Sequence, residues 1–331
     1  MKLDRSMRPP AADVVFRSND PQDPRIGDVL ITTAHIPADA AVVCVLIGVP
    51  QDIGVERNGG RAGSASAPES IRRALTKMAT GGLYPALSEG RLRIADAGDI
   101  DTDGKTLEQI HDELHDVVAE VLRAGYVPVV LGGGHDCAWP TIRAMETTRL
   151  PYGVINIDAH ADVRPLKEGR AHSGSPFYQL LTMSESRLLP GGFVEFGLQH
   201  NSVAEAHLTF VRDAGMKVVM LDEVRHVGVP AAWDQAWSKC AASHRVYLSL
   251  DMDSFASAYA PGVSAPAADG FTPHDIGSLL FQSARSGSLA AFDVVECNPR
   301  FDVDGRTAKL AAAMIWNVFH GFASAHEPDH R

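Results

Sequence analysis

The sequence predicts an α/β fold in which a mostly parallel sheet lies between two layers of helices. Three observations carry this. Eight short β-branched runs alternate with longer amphipathic stretches. Most of the runs are apolar nearly throughout, as strands buried on both faces require. The chain has 331 residues, 45% of them hydrophobic, which is enough to build a large core. Parallel neighbours need crossover connections, and the helical stretches supply them.

Residues 1–40 are rich in Pro, Asp and Arg, lack periodicity and are expected to form an N-terminal extension. The predicted strands then follow as AVVCVLIG (41–48), LRIADAG (92–98), VPVVLGGG (127–134), YGVINID (152–158), GFVEFG (192–197), KVVML (217–221), RVYLSLD (245–251) and AAFDVVE (290–296). Between them lie helix candidates at 68–78, 107–124, 202–214, 273–283 and 307–319. In the second, Leu107, Ile110, Leu114, Val117, Val118, Val121 and Leu122 recur at helical spacing, and Gly125 follows the last turn. No repeat or linker-like break divides the chain, so residues 41–325 are read as one catalytic domain.

Thirty Lys and Arg against 41 Asp and Glu give a formal charge of -11. That field repels phosphate backbones and no basic run offsets it, so no nucleic-acid partner is expected. The first twenty residues contain no apolar signal core, and the longest apolar run (41–49) is far below the roughly 18 residues of a membrane span, so no membrane association is expected. Cys44, Cys137, Cys240 and Cys297 are scattered, which predicts reduced thiols, a cytoplasmic protein and no zinc–thiolate site.

Ligands of open α/β sheets bind beyond the carboxyl ends of strands, and the residues there are chemically selective. VPVVLGGG runs into His135, YGVINID into Asp158-Ala159-His160-Ala161-Asp162, RVYLSLD into Asp251-Met252-Asp253, and AAFDVVE ends in Glu296. The two-residue spacing places side chains on one face of extended backbone. Four converging aspartates would repel and take up protons unless cations relieved them. Six ligands (His135, Asp158, His160, Asp162, Asp251 and Asp253) exceed what one tetrahedral ion needs. Their hard carboxylates and imidazoles fit two Mn2+-like ions per chain. Such a pair can hold a bridging water as hydroxide near neutral pH, which points to hydrolysis at an electrophilic carbon. Gly132–Gly134 lacks the spacing of a phosphate loop and reads instead as close backbone approach to the site.

The strings GGGHD (132–136), NIDAHADVR (156–164), HSGSPF (172–177), SLDMDSF (249–255), APGVSAPAADG (260–270) and VVECNP (294–299), preceded by GVPQDIGVERNGGRAGSASAPESIRRAL (48–75), resemble the ureohydrolases, the arginase and agmatinase superfamily. The likeness runs from about residue 40 to about 320. It implies a three-layer α/β/α domain, an eight-stranded parallel sheet and a dimanganese centre held by the six ligands named above. It also implies a homo-oligomer. Two roles follow from the resemblance alone: His172 as a proton shuttle and Glu296 as the partner of a cationic amidine or guanidine.

Arginases and agmatinases carry Gly-Gly-Asp-His-Ser where this chain has Gly-Gly-Gly-His-Asp. The pattern is most similar to the formimidoylglutamase branch, which implies hydrolysis of N-formimidoyl-L-glutamate to L-glutamate and formamide. A dicarboxylate substrate on an acidic protein needs local cations. Arg164 is the first expected contact, with Arg57 and Arg61 as second candidates. The alternatives are a ureohydrolase that releases urea from a guanidino acid, agmatine or an arginine-like substrate, and a catalytically silent metal-binding scaffold.

Overall fold

The computed structural model describes residues 7–36 and 40–325; residues 1–6 and 37–39 of the expected extension lie outside them. The eight predicted runs all form strands: β3 (Val42–Gly48), β4 (Leu92–Ile100), β5 (Val127–Leu131), β6 (Tyr152–Ile157), β7 (Leu188–Leu198), β8 (Lys217–Met220), β9 (Val246–Asp251) and β10 (Leu289–Val295). Every pairing among them is parallel. The sheet nevertheless has ten strands rather than eight. The extension contributes β1 (Met7–Arg8), antiparallel to β4, and β2 (Ile31–Thr32), parallel to it. Two-residue strands are too short to show periodicity. Both pair with β4, so the extension engages backbone groups that an edge strand would otherwise expose.

The strand order is β1-β4-β3-β5-β10-β9-β6-β7-β8. Alternate side chains divide the core into two layers. Cys44, Leu46, Val129, Leu131, Leu248, Leu250 and Phe292 face the helices Ala67–Leu75, Val229–Cys240, Pro273–Arg285 and Arg306–Ala323. Val43, Val45, Ile47, Val130, Val154 and Tyr247 face Leu107–Arg123 and Ala138–Thr147. The predicted helix at 202–214 begins only at Glu205. Val229–Cys240 and Ala138–Thr147 carry Pro230 and Pro140 in their first turns, where proline is tolerated although it reads as a breaker in sequence. No helix among the described residues is long and apolar enough to cross a membrane.

One buried cation shapes the approach to the site. Arg72 is fully buried; its guanidinium bonds Asp96 at 2.9 Å and the Gly98 carbonyl at 2.7 Å, and it also pairs with Asp99. These acceptors converge because β4 carries one extra residue: Leu46 pairs with Asp96 but Gly48 with Asp99. Gly98 makes the bend at φ +91, where a Cβ would meet the Arg8 carbonyl at 2.2 Å. The bulge thus anchors the end of β3, from which residues 49–63 lead to the cavity described next.

Candidate metal centre

The four strands that end in chemically selective residues, β5, β10, β9 and β6, are consecutive neighbours in the centre of the sheet. Register aligns their ends: Ile157 pairs with Leu250, and Val295 with Asp251. Asp158 and Asp251 therefore lie side by side, with Glu296 one residue beyond. The glycines after β5 let the chain fold back over this edge. Gly132 N–H donates to Val294 O and Glu296 N–H to Gly133 O, each at 2.9 Å. A Cβ on Gly133 would stand 1.6 Å from the Gln51 carbonyl, so no other residue fits there. His135 is delivered on a short 3-10 turn, His135–Cys137.

Two donor groups result, and they share Asp158. His135, Asp158, Asp162 and Asp251 form one, and Asp158, His160 and Asp253 the other, with the donor atoms in each within 4.8 Å of one another. Nδ1 of His135 lies 3.2, 3.0 and 3.1 Å from carboxylate oxygens of Asp158, Asp162 and Asp251. It is buried, and none of these contacts meets hydrogen-bond geometry. Asp253 Oδ1 is likewise buried without a hydrogen-bond partner among the described residues. His160 Nδ1 approaches Asp253 Oδ2 at 3.1 Å and Asp158 Oδ1 at 3.5 Å. Backbone N–H groups hold the carboxylates in place: His160 N donates to Asp158 Oδ1 and Asp253 N to Asp251 Oδ1, both at 2.7 Å.

Without a cation, protons would have to relieve the repulsion. Burial, helped by Asp158, pushes Asp253 up to about 6 against the pull of His160. Burial and the charges of Asp253 and Asp158 raise Asp251 well above the carboxylate range. The Asp253 carboxylate lifts His160 to about 12. Burial opposes charge on His135, yet Asp158, Asp162 and Asp251 hold its ring well above the usual imidazole value. Carboxylates and imidazoles that hold protons against one another, with a buried ring nitrogen left unbonded, are donors suited to divalent cations. No cysteine joins either group.

Four members of the two groups, His160, Asp162, Asp251 and Asp253, line a cavity of about 260 Å³ together with Glu296, with Asn58, Arg61, Arg164, Ser173 and Ser264 toward the mouth, while His135 and Asp158 lie fully buried behind them. Glu296 is buried, and its Oε1 accepts the His135 backbone N–H at 2.9 Å. Burial raises its pKa to about 8, with further contributions from Asp253 and Asp162. Asp162 and Glu296 both hold positive φ, 46° and 62°, a conformation costly outside glycine and concentrated at functional sites.

The remaining predicted residues divide. Arg164 is exposed at the mouth, donates to Asn58 Oδ1 at 2.9 Å and makes no ion pair with any described residue. Arg61 lines the cavity but its guanidinium is bonded to the Val263 and Ser264 carbonyls and lies 4.0 Å over the Phe301 ring. Arg57 does not line it: Glu108 and the Ala171 carbonyl occupy its guanidinium, and Glu108 is drawn down to about 2 chiefly by that hydrogen bond. His172 does not line it either. Its Nε2 donates to the Pro165 carbonyl at 3.1 Å and its Nδ1 accepts from Gly174 N–H at 3.2 Å, so both ring nitrogens are bound to backbone. Asp136 points away from the centre and accepts from Gln51 at 2.9 Å and from His111 at 2.8 Å. Sequence reasoning missed Asn58, Ser173 and Ser264 at the mouth, and Ser249 and Asp293 beneath the cluster. A carboxylate inside the apolar run AAFDVVE was the available signal for Asp293.

Comparison with known proteins agrees with this arrangement. Residues 42–321 match the arginase family. The chain is 35% identical to a formimidoylglutamase of Aromatoleum aromaticum, over 83% of this chain and 82% of that one. It is 37% identical to a formimidoylglutamase of Rhodococcus jostii, over 87% and 88%. The crystal structure of Trypanosoma cruzi formiminoglutamase with two Mn2+ superimposes with a TM-score of 0.82 at 36% identity, covering 91% of this chain and 99% of that one. By sequence and by fold, the chain belongs to the arginase family.

Proposed function

We propose that this protein hydrolyses a C–N bond of a linear amidine, converting N-formimidoyl-L-glutamate and water to L-glutamate and formamide, with two Mn2+ bound per chain. One observation carries the reading: two donor groups that share the buried Asp158 present His160, Asp162, Asp251 and Asp253 to a cavity that also holds Glu296. The formimidoylglutamase relatives and the two Mn2+ of the Trypanosoma cruzi structure support it.

His135, Asp158, Asp162 and Asp251 would hold one ion, and Asp158, His160 and Asp253 the other. When bound, the pair supplies Lewis acidity and lowers the pKa of water so that a nucleophile is available near neutral pH. The chain's own residues do the rest. Glu296 anchors one oxygen on the His135 N–H and turns the carboxylate to the cationic amidine, whose charge favours the ionised form. Arg164, which has no carboxylate partner among the described residues, orients a carboxylate of the substrate at the mouth. Arg61, fixed on the loop carbonyls and Phe301, presents a second cation there. Asp162 keeps one oxygen toward His135 while the other makes no hydrogen bond with any described residue, so we assign to it the relay, to the departing amino nitrogen, of the proton that the attacking water gives up. His172, bound to backbone through both nitrogens, holds the turn that brings Ser173 to the cavity. Residues 41–325 form the catalytic domain and residues 1–40 an extension, of which Met7–Arg8 and Ile31–Thr32 pair with β4, and a cytoplasmic homo-oligomer is the state we assign.

Mn2+-loaded protein is expected to release formamide and glutamate from N-formimidoyl-L-glutamate, and Asp158→Ala to lose both bound manganese and turnover. Urea release from a guanidino acid without turnover of the amidine would establish the ureohydrolase instead. Absence of any turnover after manganese loading would establish a silent scaffold.

A further inference from the structure

Beneath the cluster lies a buried relay of side chains to which the proposed reaction gives no task. Tyr247, Ser249 and Asp251 alternate along β9 and share one face, and Asp293 on β10 is the register partner of Ser249. All are buried, as is His135. The Tyr247 hydroxyl donates to Asp293 Oδ2, the Ser249 hydroxyl donates to Asp293 Oδ1 at 2.7 Å, and Ser249 Oγ lies 3.0 Å from His135 Nε2.

With Asp293 ionised as the acceptor of both hydroxyls, these bonds place one hydrogen. A serine hydroxyl carries a single proton, and that of Ser249 is committed to Asp293. Toward His135, Ser249 can only accept, so Nε2 carries the ring hydrogen. In the neutral imidazole Nδ1 is then a bare lone pair. Nδ1 is the atom that faces Asp158, Asp162 and Asp251 and has no hydrogen-bond partner. The tautomer needed to ligate a cation is thus selected from behind the ring by a carboxylate, with a hydroxyl interposed.

We propose that Ser249, Asp293 and Tyr247 are positioning residues that lock His135 in its Nε2–H tautomer and orientation, and thereby set the affinity of the first donor group for a divalent cation. The proposal rests on reading the clusters as a cation pair, and the experiment separates the two. Full-length protein is stripped with a chelator and titrated calorimetrically with Mn2+, alongside Ser249→Ala, Ser249→Thr and Asp293→Asn. The thermal midpoint of each metal-free protein and the visible spectrum of each Co2+-loaded protein are recorded with it. Wild type is expected to bind two ions. Ser249→Ala and Asp293→Asn are expected to weaken one of them about 10- to 100-fold and to shift the Co2+ spectrum. Ser249→Thr keeps the hydroxyl and is expected to restore both. A purely structural role would lower the metal-free midpoint and leave affinity and spectrum unaltered. That result in Ser249→Ala overturns the proposal, and Ser249→Ala decides the matter should Asp293→Asn fail to fold. Failure of wild type to bind Mn2+ would overturn the cation-site reading itself.

Discussion

Replacing Glu296 by Gln tests the substrate-facing half of the site without disturbing its frame. The amide oxygen can still accept the His135 N–H that Glu296 Oε1 accepts at 2.9 Å, and the side chain is isosteric. Because burial holds Glu296 at about 8, the free protein at neutral pH already carries a largely neutral group there. Folding stability and manganese content are therefore expected to stay at wild-type values. What disappears is the buried charge that meets the amidine. Removing one member of a desolvated charge pair costs about 2–5 kcal/mol, which lowers kcat/KM by roughly 30- to 5,000-fold. The assay is glutamate release at substrate concentrations well below KM, with metal content measured on the same samples. In wild type kcat/KM rises with pH as Glu296 ionises, because the ionised carboxylate is the form that binds a cation, and this limb is absent in Glu296→Gln. A variant whose kcat/KM matches wild type would refute the assignment of Glu296 as the amidine partner.

Four further outcomes are expected. Metal-free protein should lose stability as pH rises from about 5 to 8: Glu296 at about 8 and Asp253 at about 6 bind more protons folded than unfolded in that range. Mn2+ replaces those protons, so the rise in melting temperature on adding Mn2+ should grow with pH, and thermal scans with and without metal at three pH values check both trends. Arg164→Ala should raise KM for the dicarboxylate substrate roughly 5- to 30-fold, the equivalent of about 1–2 kcal/mol for one charge-assisted hydrogen bond at an exposed position. Arg57→Ala should leave KM unchanged and cost about 1 kcal/mol of stability or less, since its partner Glu108 is half exposed. Arg72→Met should cost about 3–5 kcal/mol in urea unfolding, because Asp96 and Asp99 would lose the buried cation between them.

The eight strands were legible because a strand covered on both faces must be apolar nearly throughout, and helices hide little of that signal. Asp158, Asp162, Asp251 and Asp253 were legible because carboxylates at the ends of such runs have few structural reasons to recur. β1 and β2 were not, since two residues carry no period. Ser249 and Tyr247 were not, since buried hydroxyls on a strand resemble ordinary packing until their acceptor is known. Arg57 and Arg61 look alike in the sequence, six and two residues before Gly63, yet one faces Glu108 and the other a cavity.

Local chemistry therefore decided which segments become strands and helices, and which residue types stand at their ends, because hydrophobic periodicity and residue type are properties of adjacent positions. Assembly decided the rest. β5, β10, β9 and β6 become neighbours in an order that the chain does not follow, and that crossing alone brings His135, the 158–162 trio and the 251 and 253 pair into two donor groups beside the cavity that holds Glu296. The same assembly turned both nitrogens of His172 to backbone and faced Nδ1 of His135 toward three carboxylates with no hydrogen-bond partner among the described residues. Hydrogen-bond partners distant in sequence are what set a side chain's protonation and direction, and only the folded chain supplies them.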